Sequence, residues 1–177
     1  MDTYGWHFAA NDRKLGYGDN RLIEVGATSW RLDKSLPIEL CVYGLHASIK
    51  PLDALQYAPG SIVSYCRMHG QIIYGEDKMV AEGREYLSVI DADTVLLEFS
   101  RWCALQVIHL WDAPDVVKKY LETGDEVLRE ASWAASRGAS RGASRGEVSW
   151  EVSWAASWAA SREFQNIKLL ELLEGVR

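Results

Sequence analysis

The chain has 177 residues, 48% hydrophobic and 25% charged, which is typical of a globular protein with one domain or a small domain plus an appended element. Its formal net charge of −6 argues against a general nucleic-acid binder, because phosphate contacts need an excess of Lys and Arg. No apolar run approaches the roughly 20 residues that span a bilayer, and the first residues do not resemble a signal peptide. We therefore expect a soluble protein of the cytoplasm without membrane or nucleic-acid partners.

Three cysteines, Cys41, Cys66 and Cys103, form no CxxC pair. This odd number of thiols indicates a reducing compartment rather than a disulfide framework. Cys41 and His46 stand five residues apart, which is too sparse a pattern for a metal site. We therefore expect no metal ion and no resident cofactor.

The N-terminal part of the chain, residues 1–90, has the pattern of a small α+β domain built from short strands. A helix is predicted over 51–57, because Pro51 suits a first helical turn and Pro59-Gly60 ends it. Residues 61–68 and 71–74 are predicted as two strands that flank a tight connection at His69-Gly70. The other predicted strands cover residues 21–25 and 38–43.

Residues 91–124 are predicted to form a helical connector. Asp91 or Asp93 can cap a helix whose apolar residues follow at helical spacing. Asp112 is predicted to cap the next helix, with Pro114 in its first turn. Gly124 ends that helix, since glycine accepts the left-handed conformation of a C-terminal cap.

Residues 125–177 contain a tetrad repeat that predicts a long α-helix. From Ala131 to Arg162 the serines recur every fourth residue, with a single step of five between Ser144 and Ser149. At roughly 100° per residue, that step gathers four Trp on one face, four Arg on a second and small residues on the remaining arc. The Trp face contains Trp133, Trp150, Trp154 and Trp158, and the small-residue face contains Gly138, Gly142 and Gly146.

The three glycines make the continuity of this helix an open question. Each costs a helix interior about 1 kcal/mol relative to Ala, so together they cost about 3 kcal/mol. Either a single coiled-coil-like helix runs from Asp125 to Gly175, or it breaks near the glycines into a helical hairpin. A packing partner on the small-residue face would offset the cost, which favours a homo-oligomer built on these Trp and Gly residues. The Trp face could instead be buried against the first domain or stack on a ligand. Residues 164–173 are apolar around much of the helix, which predicts burial against the body or another subunit.

One motif outside the repeat carries a family resemblance. The string GLHAS at residues 44–48 is followed by PLDALQY at residues 51–57. This pattern resembles an uncharacterised phage and bacterial family with a GLHAS or GFHAC motif, a PLDxLxY string and an Ala-rich tail of four-residue period. The resemblance implies a phage or prophage origin, and hence the cytoplasm of a host cell.

A second set of residues resembles the ADP-ribosyltransferase fold. Trp6-His7 is similar to the Trp-His string of those enzymes, and the 44–48 string stands where they carry a Gly-x-Tyr-Phe-Ala string, with His46 in place of its Tyr. The resemblance implies that His7 holds the ribose of NAD and that Tyr57 stacks on nicotinamide. Glu85 would then stabilise the transition state.

The sequence contains no strong catalytic motif. It favours a non-enzymatic phage accessory protein of the anti-defence type, which binds and neutralises a host protein or a small signalling nucleotide. If the ligand is a nucleotide, we expect a pocket formed by Trp6, His7, His46 and Tyr57. One alternative is an ADP-ribosyltransferase-like enzyme that uses NAD, with His7, Tyr57 and Glu85 as catalytic residues. The other is a purely structural self-assembling protein.

Overall fold

A computed structural model describes residues 2–110, 112–143 and 154–176. Within these ranges, only the backbone is described for residues 136–143 and 154–160. The chain is of the α+β class, with an N-terminal sheet and C-terminal helices, as predicted. It divides into two compact units: Met1–Thr94 with Phe164–Arg177, and Val95–Glu163. The first unit thus includes the C-terminal end, which the sequence had grouped with the repeat.

The first unit is an antiparallel sheet with a short helix. Its strands pair in the order β1-β6-β7-β4, and β5 also pairs with β7. A separate hairpin joins β2 to β3. The elements are β1 Thr3–Ala9, β2 Lys14–Gly16, β3 Asp19–Leu22, β4 Thr28–Trp30, β5 Leu45–Ala47, α1 Pro51–Leu55, β6 Ile62–Tyr74 and β7 Met79–Asp91.

A backbone bridge closes the sheet into a ring. The Trp6 N–H donates to the Ser48 carbonyl at 2.7 Å, and the Ser48 N–H donates to the Trp6 carbonyl at 2.9 Å. Since β1 pairs with β6, β6 with β7, and β7 with β5, this bridge links β5 back to β1. Alternate residues of each strand therefore point into the ring, which we call the inner face, or away from it, the outer face. The inner face carries a buried cluster of Ala9, Ile23, Ala47, Ile62, Cys66, Met68, Met79, Ala81 and Tyr86.

Two of the predicted strands differ from the structure. Residues 61–68 and 71–74 were predicted as separate strands, but β6 runs through His69-Gly70 as one strand of 13 residues. Gly70 has a φ of +76° at an irregularity opposite Glu82, whose carboxylate accepts the Gln71 N–H at 3.0 Å, and pairing resumes at Ile72.

The strand predicted over 38–43 is also wrong. Glu39 and Tyr43 form an isolated bridge around a turn, in which Cys41 has a φ of +64°. The helix predicted over 51–57 is confirmed as α1, which ends two residues earlier, at Leu55. The predicted strand at 21–25 overlaps the end of β3, while β1 and β7 were not predicted.

The second unit contains most of α2 Asp93–Val107, all of α3 Asp115–Thr123 and α4 Glu126–Ala143, and the first part of α5 Trp154–Leu172. The Asp91 carboxylate accepts the Asp93 N–H at 3.0 Å, as expected of a cap. Gly124 ends α3 with a φ of +68°, which confirms that cap. The predicted cap at Asp112 is wrong, because Pro114 holds the N-cap position and makes no side-chain hydrogen bond there.

The tetrad repeat is helical where the structure describes it, in α4 and α5. Whether these helices are continuous or form a hairpin depends on residues 144–153, which include Gly146 and Trp150 and lie outside the described residues. Gly138, Gly142, Trp154 and Trp158 lie in described helices, but their burial and contacts are outside what the structure describes. Trp133 is described and is 63% exposed. No described helix is long and apolar enough to cross a bilayer.

The C-terminal end of α5 packs in the first unit. Burial against the body of the protein was one of the two locations predicted for residues 164–173, and another subunit was the second. Leu169 and Leu173 are fully buried. The Leu52 N–H donates to Asn166 Oδ1 at 3.3 Å, and the Ser88 hydroxyl donates to the Val176 carbonyl. Phe164 and Ile167 remain exposed, so only one side of this apolar segment is covered.

We predict that Gly5→Ala destabilises the ring at its closure. A Cβ at Gly5 would lie 2.5 Å from Met79 Cε and 3.0 Å from the Ser48 carbonyl oxygen. Overpacking of this kind costs about 1–3 kcal/mol, measured as the free energy of unfolding in urea. Gly175→Ala is the matched control, because its Cβ would meet nothing within 4 Å. Equal free energies of unfolding for the two variants would contradict the closure of the ring by the bridge between Trp6 and Ser48.

We predict that Leu169→Ala lowers the free energy of unfolding by about 2–5 kcal/mol, since it empties a fully buried site. Ile167→Ala, on a residue that is 48% exposed, is the control and should have a much smaller effect. Equal losses in the two variants would show that the end of α5 does not pack as described.

Candidate functional site

Polar side chains converge within the otherwise apolar inner face. β1 contributes the His7 side chain, β7 contributes those of Arg84 and Tyr86, and β5 contributes the His46 carbonyl; we call these four residues the Arg84 cluster. The His46 side chain alternates with that of Ala47, which belongs to the inner cluster, so it points to the outer face, where it accepts the Cys41 N–H. The four residues come from three strands of the ring, and each strand end is fixed by the pairings described above. On the inner face the cluster combines one permanent cation with one imidazole, a phenol and a backbone carbonyl.

Arg84 is a buried cation that has no carboxylate partner among the residues that the structure describes. The residue is 2% exposed. Its Nη1 donates to the His46 carbonyl, while Nε and Nη2 donate to the Tyr86 hydroxyl at 3.3 and 3.1 Å. A guanidinium has five N–H donors, so with these three hydrogen bonds formed, two donors remain. A buried charge without a counter-charge is costly, and such sites are candidates for function.

Three other arginines of the first unit have carboxylate partners. Arg21 pairs with Asp19, Arg31 with Glu82 and Arg67 with Glu85, each at 2.6 Å. These three pairs have the geometry of ordinary structural ion pairs. Arg84 is thus distinguished both by its burial and by the kind of partner it has.

His7 presents a buried nitrogen that no described residue satisfies. Its Nδ1 has no hydrogen-bond partner in the described part of the chain, although the residue as a whole is half-buried. Burial, then the charge of Arg84, then His46 hold the pKa of His7 well below its ordinary value. His7 is therefore a neutral imidazole at neutral pH, with an unsatisfied ring atom beside a cation.

His46 is oriented by the turn that precedes it. Its Nε2 accepts the Cys41 N–H at 3.0 Å, and its carbonyl accepts from Arg84. Burial, Arg84 and Lys78 lower the pKa of His46. The turn at Cys41 and the strand β5 together keep this imidazole neutral and in a fixed tautomer.

The cysteine on the inner face is not an activated nucleophile. The Cys66 thiol donates to the Ser64 hydroxyl at 3.3 Å, and the Ser64 hydroxyl donates to the His7 carbonyl at 3.2 Å. Burial raises the pKa of the Cys66 thiol, which keeps it protonated at neutral pH.

Of the four predicted pocket residues, His46 contacts Arg84 through its backbone carbonyl, and His7 is near enough for the charge of Arg84 to lower its pKa. Trp6 is 1% exposed and packs on the outer face, with its ring 5.0 Å from that of Tyr65. Tyr57 is 51% exposed; its hydroxyl donates to Asp77 at 2.5 Å, and Lys78 Nζ lies 3.9 Å from its ring centroid. Neither interaction of Tyr57 involves His7 or His46.

Glu85 lies on the opposite side of the sheet from His7. It follows Arg84 directly in β7, so the two side chains point to opposite faces. Its carboxylate is 2.6 Å from Arg67 and 3.0 Å from His69 Nε2, and these hydrogen bonds lower the pKa of Glu85. The set His7, Tyr57 and Glu85 is therefore not brought to one site.

Comparison with known proteins identified no relative: no family model, no curated protein and no solved structure matches this chain. Among the residues that the structure describes, no three His, Cys, Asp or Glu side chains form a group that could hold a metal ion.

We predict that His7 makes the stability of the protein pH-dependent. The pKa of His7 is lowered in the folded state. Its contribution to the free energy of unfolding is therefore fully present above the unfolded pKa, near 6.5, and is lost as the pH falls below that value. The slope is at most about 1.4 kcal/mol per pH unit for one proton. Urea unfolding at several pH values between 5 and 8 measures it.

In this experiment His7→Gln should reduce the slope between about pH 6.5 and 5 and leave the part that comes from His46, whose pKa is also lowered. His109→Gln, at an exposed position, should leave the slope unchanged. The carboxylates with lowered pKa values, such as Asp91, contribute equally to both variants at lower pH. An unchanged slope in His7→Gln would contradict the neutral, buried imidazole.

Proposed function

We propose that this chain is a binding protein for a small anionic ligand, of the class of phosphate-bearing nucleotides, held at the Arg84 cluster. The observation that carries the proposal is the buried Arg84 guanidinium: within the described part of the chain it has no carboxylate partner, and two of its N–H donors make no hydrogen bond. The planar fork of arginine matches the oxygens of a phosphate group, and a bound anion would supply the missing counter-charge. The unsatisfied Nδ1 of His7 supports the same site.

A binding role is favoured over a catalytic one by the surroundings of this cluster. The only thiol of the inner face among the described residues is kept protonated by burial, and the predicted acid, Glu85, is engaged by Arg67 and His69. Neither group is available to act on a ligand bound beside Arg84. With the thiol and the carboxylate occupied in this way, we propose that the protein sequesters the ligand rather than converting it.

The biological role that we propose is that of a phage or prophage accessory protein, which would neutralise a small signalling nucleotide in the host cytoplasm. This step depends on the resemblance of the GLHAS and PLDALQY strings to a phage and bacterial family. A host protein is the other target that this resemblance allows.

We further propose that the tetrad repeat makes the protein a homo-oligomer, through one long helix or a helical hairpin. Support comes from its helical conformation in α4 and α5 and from the exposure of Trp133. Large exposed apolar side chains beside small residues are typical of helix pairing.

We predict that anions stabilise the full-length protein against heat. Inorganic phosphate, AMP and a cyclic dinucleotide are each titrated in a thermal-shift assay; a ligand at 100 times its dissociation constant adds about 2.7 kcal/mol to the free energy of unfolding. Arg84→Gln should abolish the shift. Arg67→Gln, which removes an arginine of the outer face, is the matched control and should retain it.

Because Arg84 also binds Tyr86 and the His46 backbone, urea unfolding of each variant verifies that it is folded. Arg84→Lys offers a second variant, which keeps the charge but lacks the planar fork, and its shift should be strongly reduced. No shift of the wild-type protein with any of the three anions at about 10 mM, far above an ordinary dissociation constant, would overturn the proposed function.

We predict that charge in the small-residue face of the repeat dissociates the oligomer. Replacing Gly138, Gly142 and Gly146 together by Glu raises helix propensity but introduces three carboxylates into the expected interface. Light scattering should give a lower mass than for the wild-type chain. The triple Gly→Ala variant is the control, since it raises helix propensity without charge and should keep the oligomer. A monomeric wild-type protein, or equal masses for all three, would rule out assembly through this face.

A further inference from the structure

A small cleft lies between the start of α1 and the turn that joins β6 to β7. Ile49, Lys50 and Asp53 line one side of this cleft, and residues 74–79 line the other. Its volume is about 150 Å³. An engineered protein cavity of that size binds benzene, so a ligand of roughly six to eight non-hydrogen atoms fits. None of the lining residues belongs to the Arg84 cluster, which makes the cleft a separate site.

Both walls of the cleft are held in place by hydrogen bonds. On the α1 side, the Leu52 N–H donates to Oδ1 of Asn166 at 3.3 Å, and Asn166 is itself buried. On the other side, the Gly75 N–H donates to the Lys78 carbonyl at 2.8 Å and closes the turn. The space between these walls is therefore formed before a ligand arrives, as is usual for small-molecule sites.

Tyr57 holds two charged residues of the turn beside this space. Its hydroxyl donates to Asp77 at 2.5 Å, and Lys78 Nζ lies 3.9 Å from its ring centroid. Glu76 stands between these two residues and makes no hydrogen bond or ion pair within the described part of the chain. The PLDALQY string thus supplies both the lining residue Asp53 and the tyrosine that fixes the facing wall.

The cleft presents charges of both signs. Its two cations are Lys50 and Lys78, and its three carboxylates are Asp53, Glu76 and Asp77. A ligand with a single charge would be repelled by part of this set. A zwitterion can instead place each of its two charges near a group of the opposite sign.

Apolar side chains form the rest of the wall. Ile49 is 65% exposed, Tyr74 is 56% exposed, and the fully buried Met79 lines the cleft as well. Covering the two exposed side chains with an aliphatic group would remove apolar surface from water, which favours binding. The lining therefore suits a ligand that combines two opposite charges with a short aliphatic group.

We propose that this cleft binds the zwitterion of a free α-amino acid with a small aliphatic side chain. Glu76 accepts from the ammonium group of the ligand, since this carboxylate has no partner among the described residues. Lys78 donates to the carboxylate of the ligand. A lysine ammonium has three N–H donors, so its contacts with Tyr57 and Cys41 leave at least one for the ligand.

A titration of the full-length protein with L-valine, followed by ¹⁵N NMR, tests this site. We expect the amide signals of Gly75 and Lys78 to shift with saturation, at a dissociation constant of about 1 mM or below. Isovalerate and isobutylamine are the matched probes, because each is valine without one of its two charged groups. Each should bind at least about tenfold more weakly, since it loses the hydrogen bonds of one charged group.

The Glu76→Gln variant locates the ligand. It keeps the shape of the side chain without its charge, and it should weaken valine binding at least about tenfold. Glu24→Gln, at an exposed position that does not line the cleft, is the matched control and should bind valine as the wild-type protein does. The ¹⁵N spectrum of each variant verifies that it is folded.

Three results would each overturn this inference. They are a wild-type protein whose amide signals do not shift with valine, valine binding no tighter than that of either analogue, and Glu76→Gln binding that equals the wild type. The anion site at Arg84 shares no residue with this cleft, so the proposed function stands or falls by its own experiment.

Discussion

The buried guanidinium of Arg84 is the interaction on which the first unit depends. It links its own strand β7 to β5 through the His46 carbonyl and organises Tyr86 beside it. It also helps to keep His7 of β1 neutral. β5 and β7, which already pair through their backbones, are thereby also joined by a side chain inside the ring. Because this cation has no carboxylate among the described residues, the same group that holds the strands together leaves a site for an anion.

Local signals in the sequence predicted the elements that begin or end at a chemically distinctive residue. Pro51 at the start of α1, Gly124 at the end of α3 and Asp91 before α2 all act through their own backbone geometry or a short-range hydrogen bond. The continuity of β6 was not predictable in this way. Gly70 has the signature of a turn, but pairing with β7 on both sides of Glu82 carries the strand through it, and such pairing is a property of the tertiary fold.

The site was predictable only in part for a related reason. His7 and His46 stand out as residue types, whereas Arg84 lies within a charged run, Glu82–Glu85, that resembles an exposed loop. Once β7 is known to be a strand, alternation places Arg84 and Tyr86 on the buried face and Glu85 on the outer one. The transferase resemblance grouped His7 with Glu85 by sequence motif, and that alternation separates them. A buried arginine beside a buried tyrosine two residues away is the signal that sequence reasoning could have used.

The central claim is that the free donors of Arg84 bind an anion, and NMR of the full-length protein tests it at the atom concerned. The ¹⁵N-edited signals of the arginine Nε–H groups are followed while inorganic phosphate is added, with the Arg84 signal assigned from its loss in Arg84→Lys. Our account predicts that the Arg84 signal shifts with saturation while that of Arg67 does not move. Phosphate that leaves the Arg84 signal unchanged, or that shifts the exposed arginines alone, would contradict it.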